Sequence, residues 1–353
     1  MWNGNAIVSA GGDLWSVVLE ASDSPGGAVA RLTYGPGADR LASVSADGVV
    51  AFEAVNETRN IWSLPLAAET ATALGPPVRV TEGSGAHTRA HLAADGRTLA
   101  YFVQRPRPLI VVRDLVDGRV WDLGIEARFG ATLSPDGTRV AYAGPDSAAY
   151  VATVRGGAGR KLCDQCEVGD WTRDGRFVAA KLGIGPAARL CLVDAESGKA
   201  RDLVVADGSE VNRPHLSPDG RWLAFRAGLQ PQQVMVAPVR AGSPPPRSEW
   251  AAVTPEERDV RPCGWSPSGR VLYFFSSRDG FRCLYAQTFD VRLGRPEGAV
   301  KVVRHLHNIR PAEGGGASIV STGTGNAVSR DQLLLDYPVT TVNIWTLRLA
   351  MAP

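Results

Sequence analysis

The chain has 353 residues, with 39 Gly, 24 Pro and 44% hydrophobic positions, which suits a turn-rich folded protein with a sizeable core and excludes a disordered one. Its 38 basic and 36 acidic residues leave a formal charge of +2, so no nucleic acid or other polyanionic partner is implied. No apolar run approaches the roughly 18 residues that a membrane-crossing helix needs, and five cysteines, an odd count, do not read as a disulfide framework.

Along the chain, residues 6–33 contain AIVSAG, DLWSVVLE and AVARLT, which read as the second, third and fourth strands of a unit without its first. A turn then appears as SADG, ending at Gly48. It recurs as AADG at Gly96, SPDG at Gly137, TRDG at Gly175, SPDG at Gly220, SPSG at Gly269 and SRDQ at Gln332. The Asp position falls at 47, 95, 136, 174, 219, 268 and 331, with Ser268 standing in for Asp once. Self-similarity at about 40–50 residues signals a repeat architecture.

Each turn is flanked by strands. Three residues before the Asp position stand Val44, Leu92, Leu133, Trp171, Leu216, Trp265 and Val328; one step further back stand Ser43, His91, Thr132, Asp170, His215, Gly264 and Ala327. Apolar alternating with polar or small is the period-two pattern of a strand. Asp-Gly between strands is a hairpin signal, because Gly accepts positive φ and Asp bonds its own backbone. The second strands read LAYFV from Leu99, VAYAG from Val140, VAAKL from Val178, LAFRA from Leu223 and LYFFS from Leu272. Third strands follow (LIVVRDL from Leu109, QVMVAPV from Gln233, CLYAQTFD from Cys283), then shorter fourth ones (RVWDLG from Arg119, AAVT from Ala251). Four short strands per unit, with no run of helical period, is the composition of a propeller blade. The expected fold is an all-β propeller of four-stranded antiparallel blades, seven in number or eight, occupying residues 1–353 as one domain.

The SPDG turn followed by LAF resembles the TolB-type β-propeller repeat, a relative of the WD-repeat blade, over essentially the whole chain. NIWSLPL (Asn60–Leu66), SSRDGFRCLYAQTFD (Ser276–Asp290) and NIWTLRL (Asn343–Leu349) further resemble the C-terminal propeller that follows a serine/threonine kinase or winged-helix domain in many soil-type bacteria. The kinase itself is not matched: there is no HRD, no DFG and no Gly-rich loop with its strand Lys. Only four lysines occur (Lys161, Lys181, Lys199 and Lys301), and this Arg, Ala and Gly excess points to a GC-rich bacterial genome. Residues 1–33 are expected either to stand as an incomplete blade or to close the ring through AVARLT. The missing first strand suggests a start inside a longer protein. As written the chain has no signal peptide and would stay cytoplasmic; a longer one could be periplasmic or extracytoplasmic.

Several constellations carry possible chemistry. GWSPSG (Gly264–Gly269) approaches the G-x-S-x-G nucleophile elbow, yet its fifth residue is Ser268 and its setting is strand–hairpin–strand, whereas the elbow needs strand–turn–helix. Cys163 and Cys166 have CxxC spacing without a second pair, so they are expected to be loop cysteines without function, the alternative being a local disulfide or oxidation-sensitive pair, and not a zinc site. His305 and His307 share a strand face that could chelate, with Glu313 the nearest acid downstream, but two ligands do not make a site. GGGAS (Gly314–Ser318) and STGTGN (321–326) lack the following helix that a phosphate loop needs. Trp15, Trp62 and Trp345, in parallel third-strand positions, are expected to pack between blades.

The column of His91, Asp170 and His215 lies on strands expected to be innermost, and Arg89, Arg128, Arg213 and Arg261 precede those strands at one channel mouth. Arginines with two histidines and an aspartate suit capture of an acidic peptide or small anion. The expected function is therefore a non-catalytic, monomeric binding or scaffold propeller for a protein or peptide, without cofactor, metal or catalytic residue. The alternatives are a channel-sited hydrolase or lyase and a fragment of a larger signalling protein.

Overall fold

The computed structural model describes residues 5–19, 25–34, 37–83, 86–104, 107–206, 208–306, 325 and 327–349. GGGAS, His307 and Glu313, and all of STGTGN except Gly325, lie outside them. The described chain is built almost wholly of antiparallel strands, as the repeat requires.

At the N-terminus β1 (Asn5–Ala10), β2 (Asp13–Leu19) and β3 (Pro25–Arg31) make a three-stranded sheet, so AVARLT pairs with β2. β4 (Ala38–Val44) turns at Gly48 into the long β5 (Val49–Ala67), followed by the two-residue strands β6 (Thr72–Ala73) and β7 (Val78–Arg79). Five four-stranded sheets come next. Blade 1 is β8 (Ala86–Leu92), β9 (Thr98–Gln104), β10 (Leu109–Asp114) and β11 (Val120–Glu126). Blade 2 is β12 (Phe129–Leu133), β13 (Arg139–Ala143), β14 (Ala149–Thr153) and β15 (Arg160–Cys163). Blade 3 is β16 (Cys166–Trp171), β17 (Phe177–Leu182), β18 (Arg189–Asp194) and β19 (Ala200–Val205). Blade 4 is β20 (Val211–Leu216), β21 (Trp222–Ala227), β22 (Gln233–Pro238) and β23 (Ala251–Ala252). Blade 5 is β24 (Val260–Trp265), β25 (Val271–Ser276), β26 (Cys283–Asp290) and β27 (Arg295–Arg304). The last strand, β28 (Gln332–Arg348), pairs with β5.

Seven sheets result among the described residues, the number of turn copies in the sequence. The chain divides into two compact units, and β5 and β28 are long because each runs from one into the other. The larger unit holds blades 1–5 and a sixth, in which the start of β28 and the end of β5 are joined by β6 and β7.

In this larger unit a hydrophobic cluster fills every seam. Phe102, Val112, Leu133 and Tyr142 join blades 1 and 2, and Val151, Leu162, Val168 and Trp171 join blades 2 and 3. Leu192, Leu203, Leu223 and Phe225 follow between blades 3 and 4, then Val236, Trp265, Phe274 and Phe289 between 4 and 5. Leu64 and Leu335 meet Tyr273 and Phe275 between 5 and 6, and Ile61 and Leu334 meet Leu92 and Tyr101 between 6 and 1. The six sheets thus form a ring in which neighbouring blades meet through the side chains of their faces.

The smaller unit contains β1–β3, β4 and the outer halves of β5 and β28. Its hairpin at Gly48 is latched by the Leu349 N–H on the Gly48 carbonyl at 3.0 Å. Trp345 is 58% exposed, so it does not serve as blade packing, whereas Trp62 in the larger unit stacks at a tilt on Tyr337 with ring centroids 5.5 Å apart.

The repeated turn is a hydrogen-bonded latch. Ser134, Thr172 and Ser217 donate to the Oδ1 atoms of Asp136, Asp174 and Asp219 at 2.5–2.6 Å. The same Oδ1 atoms accept the backbone N–H of Thr138, Arg176 and Arg221 at 3.0–3.1 Å. A carboxylate that satisfies several turn donors explains why Asp recurs there. At the copy with Ser268, the carboxylate comes from the loop of blade 6: Glu69 Oε1 accepts the Ser268 N–H at 3.0 Å and Oε2 accepts the Ser266 hydroxyl at 3.1 Å. Ser266 is fully buried in the hairpin between β24 and β25, so the resemblance of GWSPSG to a nucleophile elbow ends there.

Candidate functional site

The inner strands of blades 1, 3 and 4 contribute to two cavities, one at each end. A larger one of about 430 Å³ lies at the hairpin end, walled by Leu92, Leu133, Trp171, Leu216 and Val328 and by the turn prolines. His91 and Asp170 line it, with Arg173 and Arg330 near the turns. The smaller cavity, about 290 Å³, lies where the same strands begin.

Between the two, the predicted His and Asp column ties blades together. His91 Nδ1 accepts the Leu133 N–H of blade 2 at 3.0 Å, and Asp170 Oδ2 accepts the Leu216 N–H of blade 4 at 3.0 Å. At the alternate seams an indole takes over. Trp171 Nε1 donates to the Thr132 carbonyl at 3.0 Å, and Trp265 Nε1 to the His215 carbonyl at 3.0 Å. His215, almost fully buried, has Nδ1 3.4 Å from Asp170 Oδ2, an ion-pair distance without hydrogen-bond geometry. Burial lowers His91 to about 4, against the opposing field of Asp170, with His215 adding to the fall. His91 is thus a neutral acceptor at physiological pH.

The smaller cavity is cationic. Arg89, Arg213, Arg226, Arg261 and Lys181 line it against two carboxylates, Glu167 and Glu210. Lys181 Nζ lies 3.2 Å from Glu210 Oε1, and Arg261 Nε 3.2 Å from Asp259 Oδ1. Asp336 Oδ2 accepts the Arg89 N–H at 3.4 Å. Arg213 lies deep in the protein while keeping some surface toward the cavity, and no carboxylate pairs with it among the described residues. Loss of water, then the fields of Arg261, Arg226 and Arg89, push its guanidinium down to about 9. Burial likewise lowers Arg89 and Arg226, with Arg261 working in the same direction.

The backbone explains how two of these arginines are aimed inward. Each inner strand has a bulge: the register slips between Thr88 and His91, between Phe129 and Ala131, and between Asn212 and His215. In blade 2 the left-handed bulge residue is Gly130, at φ 59°. In blades 1 and 4 it is Arg89, at φ 57°, and Arg213, at φ 53°. A non-glycine residue there carries strain of order 1–3 kcal/mol, and both strands accept it while setting an arginine in the cavity.

Of the predicted site residues, Arg89, Arg213 and Arg261 share the cationic cavity, whereas His91 and Asp170 line the opposite one with His215 buried beside Asp170. Arg128 lines neither; it is exposed and donates to Ser147 Oγ at 2.9 Å. Sequence reading missed Arg226 and Lys181. Both sit on second strands, β21 and β17, where a lone charge inside an apolar run (LAFRA, VAAKL) was the available signal.

No protein-family profile matches the chain. By structure it is similar to a TolB from Agrobacterium tumefaciens, at 17% identity and a TM-score of 0.58 over 80% of this chain and 99% of that one. A TolB from Acinetobacter baumannii matches at 16% identity and a TM-score of 0.53, over 84% of this chain and 80% of that one. The chain has the TolB-type β-propeller fold. By sequence this TolB-like propeller is also similar to the uncharacterised peptidase YuxL of Bacillus subtilis (strain 168), 29% identical over 213 residues. That match covers 56% of this chain and spans only 29% of the length of that relative.

Proposed function

We propose that the chain is a non-catalytic binding propeller that captures an acidic peptide segment of a protein partner in its arginine cavity, acting as a monomer without cofactor. The observation that carries this reading is the bulge: blade 2 fills the position with Gly130, while blades 1 and 4 place strained arginines there, one of them deep and without an acid partner among the described residues. An incoming carboxylate would accept charge-assisted, bidentate hydrogen bonds from groups already held in place. Such cations repel one another until an anion arrives, so binding relieves stored electrostatic cost. The test is fluorescence anisotropy with an Asp/Glu-rich peptide and its Asn/Gln counterpart. Selective binding of the acidic peptide that weakens on Arg261→Ala supports the reading; equal affinity for both peptides overturns it.

The similarity to the peptidase YuxL supports a second reading, in which the propeller serves a hydrolase. Cleavage of peptide substrates by the purified chain, abolished by Asp170→Asn, would favour it.

A further inference from the structure

Away from both cavities, three side chains of blade 5 converge on one point. Cys283 opens β26, Asp279 lies in the loop before it, and His305 follows β27. The register pairs Leu284 with Arg304, which brings Cys283 and His305 opposite each other one step beyond. Cys283 Sγ lies 3.6 Å from His305 Nδ1, and that same nitrogen lies 3.3 Å from Asp279 Oδ2. The donor atoms of all three residues lie within 4.8 Å of one another.

We propose that Asp279, Cys283 and His305 form a binding site for a zinc-class divalent metal ion. A tetrahedral ion with metal–sulfur bonds of about 2.3 Å and metal–nitrogen and metal–oxygen bonds of about 2.0–2.1 Å sets edges of about 3.5 Å for sulfur to nitrogen and about 3.3 Å for nitrogen to oxygen. The two observed separations match those edges. A set of one thiolate, one imidazole and one carboxylate selects zinc over magnesium or calcium, which take all-oxygen shells. Three protein ligands leave a fourth position for water.

The surroundings suit ligation. Cys283 is fully buried and free of any disulfide, and the Leu306 N–H points at its sulfur at 3.4 Å, where it would stabilise a thiolate. Asp279 and His305 keep part of their surfaces in water, which gives an ion an entry path. On binding, the Cys283 S–H bond breaks, its proton leaves to solvent, and sulfur donates its electron pair to the ion. His305 binds as the neutral ring through Nδ1 and keeps its proton on Nε2. Because the thiol proton is released, affinity should rise with pH.

The test uses the full chain titrated with Co²⁺ and with Zn²⁺. Expected are one equivalent bound and a thiolate-to-cobalt charge-transfer band in the near ultraviolet. Cys283→Ser should abolish that band, and His305→Gln and Asp279→Asn should each weaken Zn²⁺ binding by at least about tenfold. The double variant Cys163→Ser/Cys166→Ser should keep band and affinity. No charge-transfer band with wild-type protein, a band that survives Cys283→Ser, or one lost with the Cys163/Cys166 pair overturns the assignment.

Discussion

Glu69 reaches from the loop of blade 6 to the turn of blade 5 and accepts the Ser268 N–H at 3.0 Å, restoring the carboxylate that this copy of the repeat lacks. The turns at Asp136, Asp174 and Asp219 carry their own Asp two residues after the hydroxyl. Here the bond from that hydroxyl, Ser266 to Glu69 Oε2, crosses a seam, so the loss of a local latch is converted into a clasp between blades. Glu69→Ala should cost about 1–2 kcal/mol, the worth of hydrogen bonds to a charged group. Adding Ser268→Asp to Glu69→Ala should recover most of it, whereas Ser268→Asp alone should destabilise by placing two carboxylates together. Urea melts of the four proteins check this, and simple additivity would contradict the substitution.

His91 makes stability depend on pH in a defined direction. Its folded pKa, about 4, lies below the ordinary value near 6.5, so the unfolded chain binds the proton more readily. Its contribution is complete above pH 6.5 and is lost as pH falls toward 4, on the order of 3 kcal/mol at about 1.4 kcal/mol per unit. Protonation of Nδ1 would also break the bond from the Leu133 N–H. His91→Asn, whose side-chain oxygen can accept the same bond, should flatten the pH dependence of the unfolding midpoint between pH 4 and 6.5. An unchanged slope would place the titration elsewhere.

Arg213→Gly should separate stability from binding. Glycine removes both the left-handed strain at φ 53° and a desolvated cation, so the variant should be more stable by about 1 kcal/mol. It should also lose affinity for an acidic peptide by tenfold or more, about 1.4 kcal/mol. Thermal melts paired with anisotropy read both, and a variant that is destabilised while still binding would refute the trade.

Trp265→Phe should open the seam between blades 4 and 5. The indole is fully buried, and its N–H donates to the His215 carbonyl at 3.0 Å. Phenylalanine leaves that carbonyl unsatisfied as well as a gap, at about 2–3 kcal/mol. Chemical unfolding measures it; a loss below about 0.5 kcal/mol would mean the bond contributes nothing net.

The propeller was legible because its two strongest signals are local. Asp-Gly turns and alternating apolar residues need only neighbours in sequence, and blades 1–5 follow them. Blade 6 was not legible, since its strands, β5 and β28, are far apart in sequence and no spacing says that they pair. Likewise the turn at Gly48 looks like every other, yet it belongs to the smaller unit with β4. At the site, Arg89, Arg213 and Arg261 stood out as charges expected in loops just before the inner strands, whereas they lie within those strands. Whether a column residue faces a ligand or a neighbouring blade depends on hydrogen bonds across seams, such as His91 to Leu133, and these leave no trace in spacing. Arg226 comes from a second strand where its lone charge in the run LAFRA was the one signal.

Ser63 Oγ donates to Gln332 Oε1 across 269 positions of chain, so the pairing that completes blade 6 joins segments made far apart in time. Blades 1–5 form from contiguous chain and can assemble as they emerge, but two seams, those holding Ile61, Leu64 and Leu66, stay open until β28 arrives. Until then the nascent propeller is an arc with two greasy flanks, and for that interval its hazard is a second arc that offers the missing strand first.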